Sequence, residues 1–180
     1  MTLFLLLAGA ALAGCGGPAE RVAEAPWGAS MKRSVAPPFP LPALTGRVVD
    51  NADLLIADQE AQLSAALATT ERLTRHQFVV VTLPSLGGRS IEEVGLALGN
   101  GWGIGRKDYN DGVLLIVAPN ERKVRIEVGC GLEAALTNSE AQAIIDQRIL
   151  PLFRKGRMAA GIFRGSAAII REIDEPGVTP

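Results

Sequence analysis

Residues 113–128 read VLLIVAPNERKVRIEV, and the fold class follows from this stretch. Residues 113–118 form a continuous apolar run, which is typical of a strand that is covered on both faces of a sheet. Residues 119–122 have the composition of a turn, and Lys123–Val128 alternates between charged and apolar side chains, which indicates a strand with one face in water. The short connection predicts that the two strands pair as a hairpin.

The segments on either side alternate between strand and helix patterns. A second buried strand, FVVVTL, is predicted at residues 78–83. Capping boxes of the S/T-x-x-E type predict the start of two helices, one over residues 91–100 and one that Pro151 ends or kinks. Apolar residues at helical spacing predict further helices over residues 58–73 and 157–173. Strand, helix and strand in succession predict a right-handed crossover, so the expected fold is a single α/β domain with a small mixed sheet between helices.

The composition excludes several classes of protein. The chain has 180 residues, 48% of them hydrophobic, and a formal net charge of -1, which is typical of a folded domain and argues against a nucleic-acid binder. Its two cysteines are too few for a disulfide framework, and its one histidine leaves little scope for a His-based zinc site. Gly99, Gly101, Gly103 and Gly105 follow a predicted helix and precede a strand, which is the wrong context for a nucleotide-binding loop. No nucleotide cofactor is therefore expected.

The N-terminal part of the chain has the features of an export and anchoring segment. Residues 3–13, LFLLLAGAALA, are of signal-peptide length and too short to cross a bilayer. Residues 12–15, LAGC, resemble the lipobox of bacterial lipoproteins, which predicts a signal peptide over residues 1–14 and a diacylglyceryl thioether on Cys15. The alternative is an ordinary signal peptide with an incidental cysteine. Gly16 follows where inner-membrane lipoproteins usually have Asp, which favours the outer membrane and a domain that faces the periplasm.

Residues 15–42 are predicted to connect the lipidated cysteine to the domain as a tether. They are rich in proline, which favours an extended, polyproline-like chain without a core. A proline-rich ligand for a partner protein is the alternative. The folded domain is expected over residues 43–175, with a tail at residues 176–180. The expected partners are the membrane, through the lipid anchor, and an unidentified envelope protein.

The loop GWGIGRKDYNDG, residues 101–112, contains the main candidates for a functional site. Asp108, Asn110 and Asp111 place hard oxygen ligands close together, a composition that suits Ca²⁺ or Mg²⁺. The spacing does not match an EF-hand loop. The alternative is a turn in which these side chains bind backbone groups.

Two further acidic residues are candidates at other turns. Asp50 ends a short apolar run and is either a site residue at the end of a sheet or a turn residue before the first helix. Glu133 follows the glycines of residues 129–131, which suit a sharp exit from a strand, and it is either a metal ligand or a solvated carboxylate. His76 stands at the entrance of a strand and is interpreted as a turn or surface residue.

Together these segments resemble the TPM domain, a family named after thylakoid lumen, photosystem II repair and acetylcholine-receptor modulator proteins. The resemblance extends over residues 42–173 and implies a three-layer α/β/α sandwich. It rests on five motifs in the family's order: TGRVVDNA at 45–52, WGIG at 102–105, NDGVLL at 110–115, RIEVG at 125–129 and GLE at 131–133.

The resemblance also implies functions. Plant lumenal members are described as acid phosphatases and repair factors, some bacterial members bind calcium, and the animal member modulates a receptor. The family's metal sites lie in loops near a sheet end, which carries over to Asp50, Asp108, Asp111 and Glu133. Where the family often has Tyr, this chain has Cys130.

Three hypotheses follow from these observations. The first is a membrane-tethered periplasmic accessory module that binds a divalent cation and assists the assembly or maintenance of envelope proteins. The second is a metal-dependent acid phosphatase in which Arg106 or Lys107 holds the phosphate. The third is a structural role that needs neither ion nor substrate. No catalytic residue is assigned.

Overall fold

The computed structural model describes residues 40–174. The predicted signal peptide, Cys15, all but the last three residues of the predicted tether, and the predicted tail lie outside the described residues, so those expectations stay predictions. Within the described residues, no helix is both long and apolar enough to cross a bilayer.

Four strands and five α-helices make up this part of the chain. The strands are β1 (Val48–Asp50), β2 (Gln77–Thr82), β3 (Gly112–Ala118) and β4 (Lys123–Val128). The helices are α1 (Ala57–Thr74), α2 (Ile91–Trp102), α3 (Asn138–Ile144), α4 (Leu150–Phe153) and α5 (Met158–Ile173). A short 3₁₀ turn at Cys130–Leu132 follows β4, and a π-helix at Ile145–Ile149 joins α3 to α4.

The strands form one mixed sheet in the order β1-β2-β3-β4. The first three strands are parallel, with Gln77 opposite Gly112 and Thr82 opposite Val117. β3 and β4 are antiparallel, with Val113 opposite Val128. The hairpin, the mixed sheet and the α/β class predicted from the sequence are therefore confirmed.

Helices cover both faces of the sheet. β2 and β3 alternate their apolar side chains between two separate cores, so each face needs a covering layer. α1, α3 and α5 supply residues to the core on one face, and α2 supplies the core on the other. This arrangement is the expected three-layer α/β/α sandwich.

The connections of the parallel strands include one unusual crossover. α1 connects β1 to β2 and α2 connects β2 to β3, and both connections step in the same direction across the sheet. Two right-handed crossovers in the same direction would place both helices on one face. Leu67 of α1 and Leu98 of α2 lie in the two different cores, however. One of the two crossovers therefore has the rare left-handed sense, which lets α1 and α2 cover the two apolar faces of the sheet. The right-handed sense expected for the crossover from β2 through α2 to β3 stays a prediction.

Pro151 lies where the helix that begins after Thr137 changes its hydrogen-bond pattern. The α-helical hydrogen bonds of α3 give way to the π-helix before Pro151, which occupies the first turn of α4, where its missing N–H costs nothing. The sequence predicted that Pro151 ends or kinks this helix; in the structure the chain stays helical through Pro151, and the hydrogen-bond pattern changes just before it.

Candidate functional site

The loop between α2 and β3 lies against the segment that follows β4. The Gly131 N–H donates to the Asn110 carbonyl oxygen at 3.1 Å, and the Gly129 N–H donates to the Gly112 carbonyl oxygen at 2.8 Å. A side chain at Gly131 would lie inside van der Waals contact with the carbonyl oxygen of Tyr109. Glycine at this position therefore allows the two backbones to touch.

The side chain of Asp111 holds this loop in place through hydrogen bonds. Its side chain is only 3% exposed, and its two oxygens accept hydrogen bonds from the Arg106 backbone N–H and from Arg106 Nε, each at 2.7 Å. The Nδ1 atom of His76 lies 3.1 Å from the Asp111 Oδ2 atom. The Arg106 guanidinium also stacks 4.0 Å from the centre of the Tyr109 ring. These contacts form a polar network that connects the loop to His76, the residue before β2.

The network sets the charge state of Asp111. Burial raises the pKa of this carboxyl, but the hydrogen bonds from Arg106 and His76 outweigh burial and hold the pKa below its ordinary value. Asp111 is therefore ionised at neutral pH, and both of its oxygens are already bound by protein groups. Its role in this structure is to position the loop.

Asp50 lies elsewhere. Its Oδ2 atom accepts from the Leu55 backbone N–H at 2.7 Å, and its Oδ1 atom accepts from the Thr82 hydroxyl. Asp50 is paired with Thr82, and Thr82 with Val117, at the carboxyl ends of the parallel strands. Asp111 precedes the amino end of β3 and lies six residues before Val117 along the chain, which is roughly 20 Å at 3.3 Å per residue. The structure does not bring Asp50 and Asp111 into one site.

A cavity of about 500 Å³ opens beside the loop, on the face of the sheet that α2 covers. Much of its lining is glycine backbone, which leaves room for a ligand close to the main chain. Its polar side chains come from both sides: Asn100, Arg106, Lys107, Asn110, Glu127 and Glu133. We call this cavity the loop pocket.

The predicted ligand residues divide between three places. Asn110 and Glu133 line the loop pocket, whereas Asp108 is exposed on the same loop without lining it. Asp111 is buried in its network, and Asp50 lies at the other end of the sheet. Across residues 40–174, no group of three or more His, Cys, Asp or Glu side chains is placed to hold a metal ion.

Sequence reasoning missed two members of this region. His76 was interpreted as a turn or surface residue; it lies in the short connection between α1 and β2, but it is only 3% exposed, so the surface alternative is wrong. The parallel register that pairs Gln77 with Gly112 places the residues before the two strands side by side, and thus His76 beside Asp111. Glu127 belongs to the face of β4 that the sequence predicted to be solvent-exposed. It lines the loop pocket, and its carboxylate accepts a hydrogen bond from Arg125 Nε. Strand pairing was the signal needed for both.

The comparison with family models gives one match. The model described as "TPM domain" matches residues 48–172, which is most of the chain and nearly all of the described part. Among curated proteins, none matches the sequence significantly.

Solved structures of bacterial domains resemble this one. The N-terminal domain of a protein from P. gingivalis, solved by solution NMR, is 37% identical, with a TM-score of 0.68 over 72% of this chain and 83% of that chain. The N-terminal domain of cg2496 from Corynebacterium glutamicum is 16% identical, with a TM-score of 0.55 over 74% and 84% of the two chains. BA42 from Bizionia argentinensis is 17% identical, with a TM-score of 0.57 over 66% and 81%. These last two show a shared fold, and the family match and the first similarity together show that the chain belongs to the TPM domain family.

Proposed function

We propose that this TPM domain is an accessory binding module that holds a divalent cation, Ca²⁺ or Mg²⁺, in the loop pocket. The supporting observation is that Asn110 and Glu133 both line this cavity. They come from separate segments, and each side chain has an oxygen atom that can bind a cation. The Asp111 network and the backbone contact at Gly131 fix the two segments against each other. In this proposal, the segments that carry Asn110 and Glu133 are held in place before a cation binds.

The donor set fits a cation that shares its coordination with a bound ligand. Asn110 and Glu133 supply two oxygen side chains, fewer than the six or more oxygen ligands that either ion takes. Mg²⁺ commonly keeps waters and binds through one or two carboxylates together with phosphate oxygens of a ligand. Lys107, which lines the same pocket, places a positive charge where such an anionic group would lie. The preferred ligand is thus a phosphate-bearing molecule with its cation.

A metal-dependent phosphatase is the second candidate. Two observations favour it. Arg106, Lys107 and Glu133 line the same cavity, and the name of the matching family model includes the word phosphatase. A bound cation would polarise a phosphoryl oxygen and activate water. Among the described residues, the lining includes Cys130 and no Ser, Thr or His. Water activated by the cation is the nucleophile in this candidate mechanism.

The cell envelope is the proposed location. The apolar segment at residues 3–13, the lipobox-like residues 12–15 and the proline-rich tether support a lipid anchor on Cys15 and a partner in the envelope. Mass spectrometry of the mature N terminus tests the anchor: a diacylglyceryl thioether on Cys15 supports it, and an unmodified cysteine overturns it.

Thermal unfolding with added CaCl₂ or MgCl₂, with and without inorganic phosphate, tests the cation site. A cation at 100 times its Kd adds about 2.7 kcal/mol to the free energy of unfolding. We expect a saturable rise in Tm that Glu133→Gln abolishes and that Asp50→Asn, at the opposite end of the sheet, retains. No saturable rise, or an equal rise in Glu133→Gln, overturns the proposal.

Hydrolysis of p-nitrophenyl phosphate distinguishes the two candidates. Turnover that requires the cation and falls in Lys107→Gln supports the phosphatase. Cation binding without turnover supports the binding module.

A further inference from the structure

A second cavity, of about 810 Å³, lies on the other face of the sheet and at its other end. It is lined by Leu54 in the loop after β1, by residues 117–119 at the end of β3, and by Leu150, Phe153 and Met158 of the helical layer. The volume is within the range of pockets that hold small molecules. Ligands of open α/β sheets bind outside the carboxyl ends of the strands, which is where this cavity opens. We call it the carboxyl-end pocket.

The walls of the carboxyl-end pocket are apolar. Leu54, Leu150, Phe153 and Met158 are each half-buried, packing against the core on their inner side and facing the cavity on the other. Val117 at the end of β3 forms part of the floor. This lining suits a hydrocarbon chain, because each buried CH₂ group is removed from water.

The charges at this pocket have one sign. Arg122, Lys123 and Arg154 line it, and none of the Asp or Glu residues in the described part of the chain does. Lys123 is the first residue of the alternating strand β4 and supplies one of these positive charges. Arg122 and Arg154 are exposed, and neither makes an ion pair or side-chain hydrogen bond within residues 40–174. Two guanidinium groups thus remain for a ligand.

The backbone at Arg122 supports the same interpretation. Its N–H closes the turn onto the Pro119 carbonyl oxygen at 3.1 Å, and its φ is 54°, in the left-handed region that Asn and Gly adopt more easily than a long side chain does. An arginine at this position keeps a guanidinium at the pocket at some cost in backbone energy.

We propose that the carboxyl-end pocket binds a single-chain anionic amphiphile. The hydrocarbon chain lies against the apolar walls, and the carboxylate or phosphate head group binds Arg122 and Arg154. Guanidinium groups bind both kinds of head group through charge-assisted hydrogen bonds. This site is independent of the loop pocket, which lies at the amino end of β3 on the opposite face.

Titration calorimetry with dodecanoate, below its micelle concentration, tests the proposal. The full chain carries Cys15→Ser, so that no lipid of its own competes for the pocket. We expect saturable binding of one dodecanoate per chain, weakened at least tenfold, about 1.4 kcal/mol, in Arg122→Asn/Arg154→Gln. Asn suits the left-handed turn, and Arg164→Gln, an exposed arginine that does not line the pocket, is the matched control and should bind as the unsubstituted chain does.

The cationic amphiphile dodecyltrimethylammonium separates charge recognition from apolar adsorption. Dodecanoate binding at least tenfold tighter than this probe supports the proposal. Equal affinity for the two probes, or dodecanoate binding that is unchanged in the double variant, overturns it. Unfolding curves of the double variant and of Arg164→Gln show whether a loss of binding comes from loss of fold.

Vesicles identify the source of the head group. Co-sedimentation with phosphatidylglycerol vesicles but not with phosphatidylcholine vesicles, lost in the double variant, assigns the head group to a membrane lipid. Dodecanoate binding without co-sedimentation assigns the ligand to a free monomeric acid.

Discussion

Asp111→Asn tests whether Asp111 positions the loop through its charge. The substitution keeps the size of the side chain but replaces one acceptor oxygen with an NH₂ group, which cannot accept from Arg106. At least one of the two 2.7 Å hydrogen bonds from Arg106 is then lost, together with the ion pair. A hydrogen bond to a charged group contributes about 1.5–3 kcal/mol. We expect a loss of about 1.5–3 kcal/mol in the free energy of unfolding at pH 7.

Urea unfolding at several pH values measures this loss, with Asp108→Asn as the control. Asp108 is exposed on the same loop, so its substitution should change stability by no more than about 0.5 kcal/mol. The pKa of Asp111 is lowered in the folded chain, so its contribution is fully present above the unfolded pKa of about 3.9. It is lost as the pH falls through the folded value, which lies lower.

The difference between the unsubstituted chain and Asp111→Asn should therefore shrink as the pH falls below about 4. Two results contradict the reasoning. One is an Asp111→Asn variant as stable as Asp108→Asn at pH 7. The other is a difference that does not shrink in acid, which would mean that shape rather than charge makes the network.

Three further substitutions test the close contacts that hold the fold. Gly131→Ala forces a methyl group against the Tyr109 carbonyl oxygen and should destabilise the domain by about 1–3 kcal/mol in urea unfolding; an unchanged midpoint would show that the two segments do not touch. Thr82→Val removes the hydroxyl that donates to Asp50 and should cost about 1.5–3 kcal/mol by the same measurement, whereas a neutral effect would leave Asp50 available as a ligand. Gly165→Ala should lower Tm, because the added carbon lies 2.5 Å from a methyl group of the π-helix; a raised Tm would mean that the π-helix has room to move.

The sequence predicted the elements well, because their signals are local. Buried runs and capping boxes marked both ends of β2, β3 and α2, and the start of α3, to within about two residues. β1 has only three residues, too few for a periodic signal, and it was identified only as an apolar run before Asp50. The π-helix at Ile145–Ile149 was not predicted either, because no sequence signal distinguishes it from the surrounding helix.

The site was harder to predict because it depends on strand register. Asp50 and Asp111 were both expected at a sheet end, and both are, but at opposite ends, since one follows a parallel strand and the other precedes one. The burial of His76 was missed because its neighbour in space, Asp111, is far from it in sequence. Such contacts follow from which strands pair and with what offset, and the sequence of one chain leaves that offset open.

The residues that carry the family resemblance are mostly those that hold the loop together. The NDG motif contributes the Asp111 anchor and a carbonyl that accepts from Gly131, and Gly131 in turn begins the GLE motif. These contacts require the motif residues whether or not a ligand binds. Membership of the family is therefore strong support for the fold and weak support for any particular chemistry. The chemistry must come from side chains that face the loop pocket, and Lys107 and Glu133 are the two to substitute first.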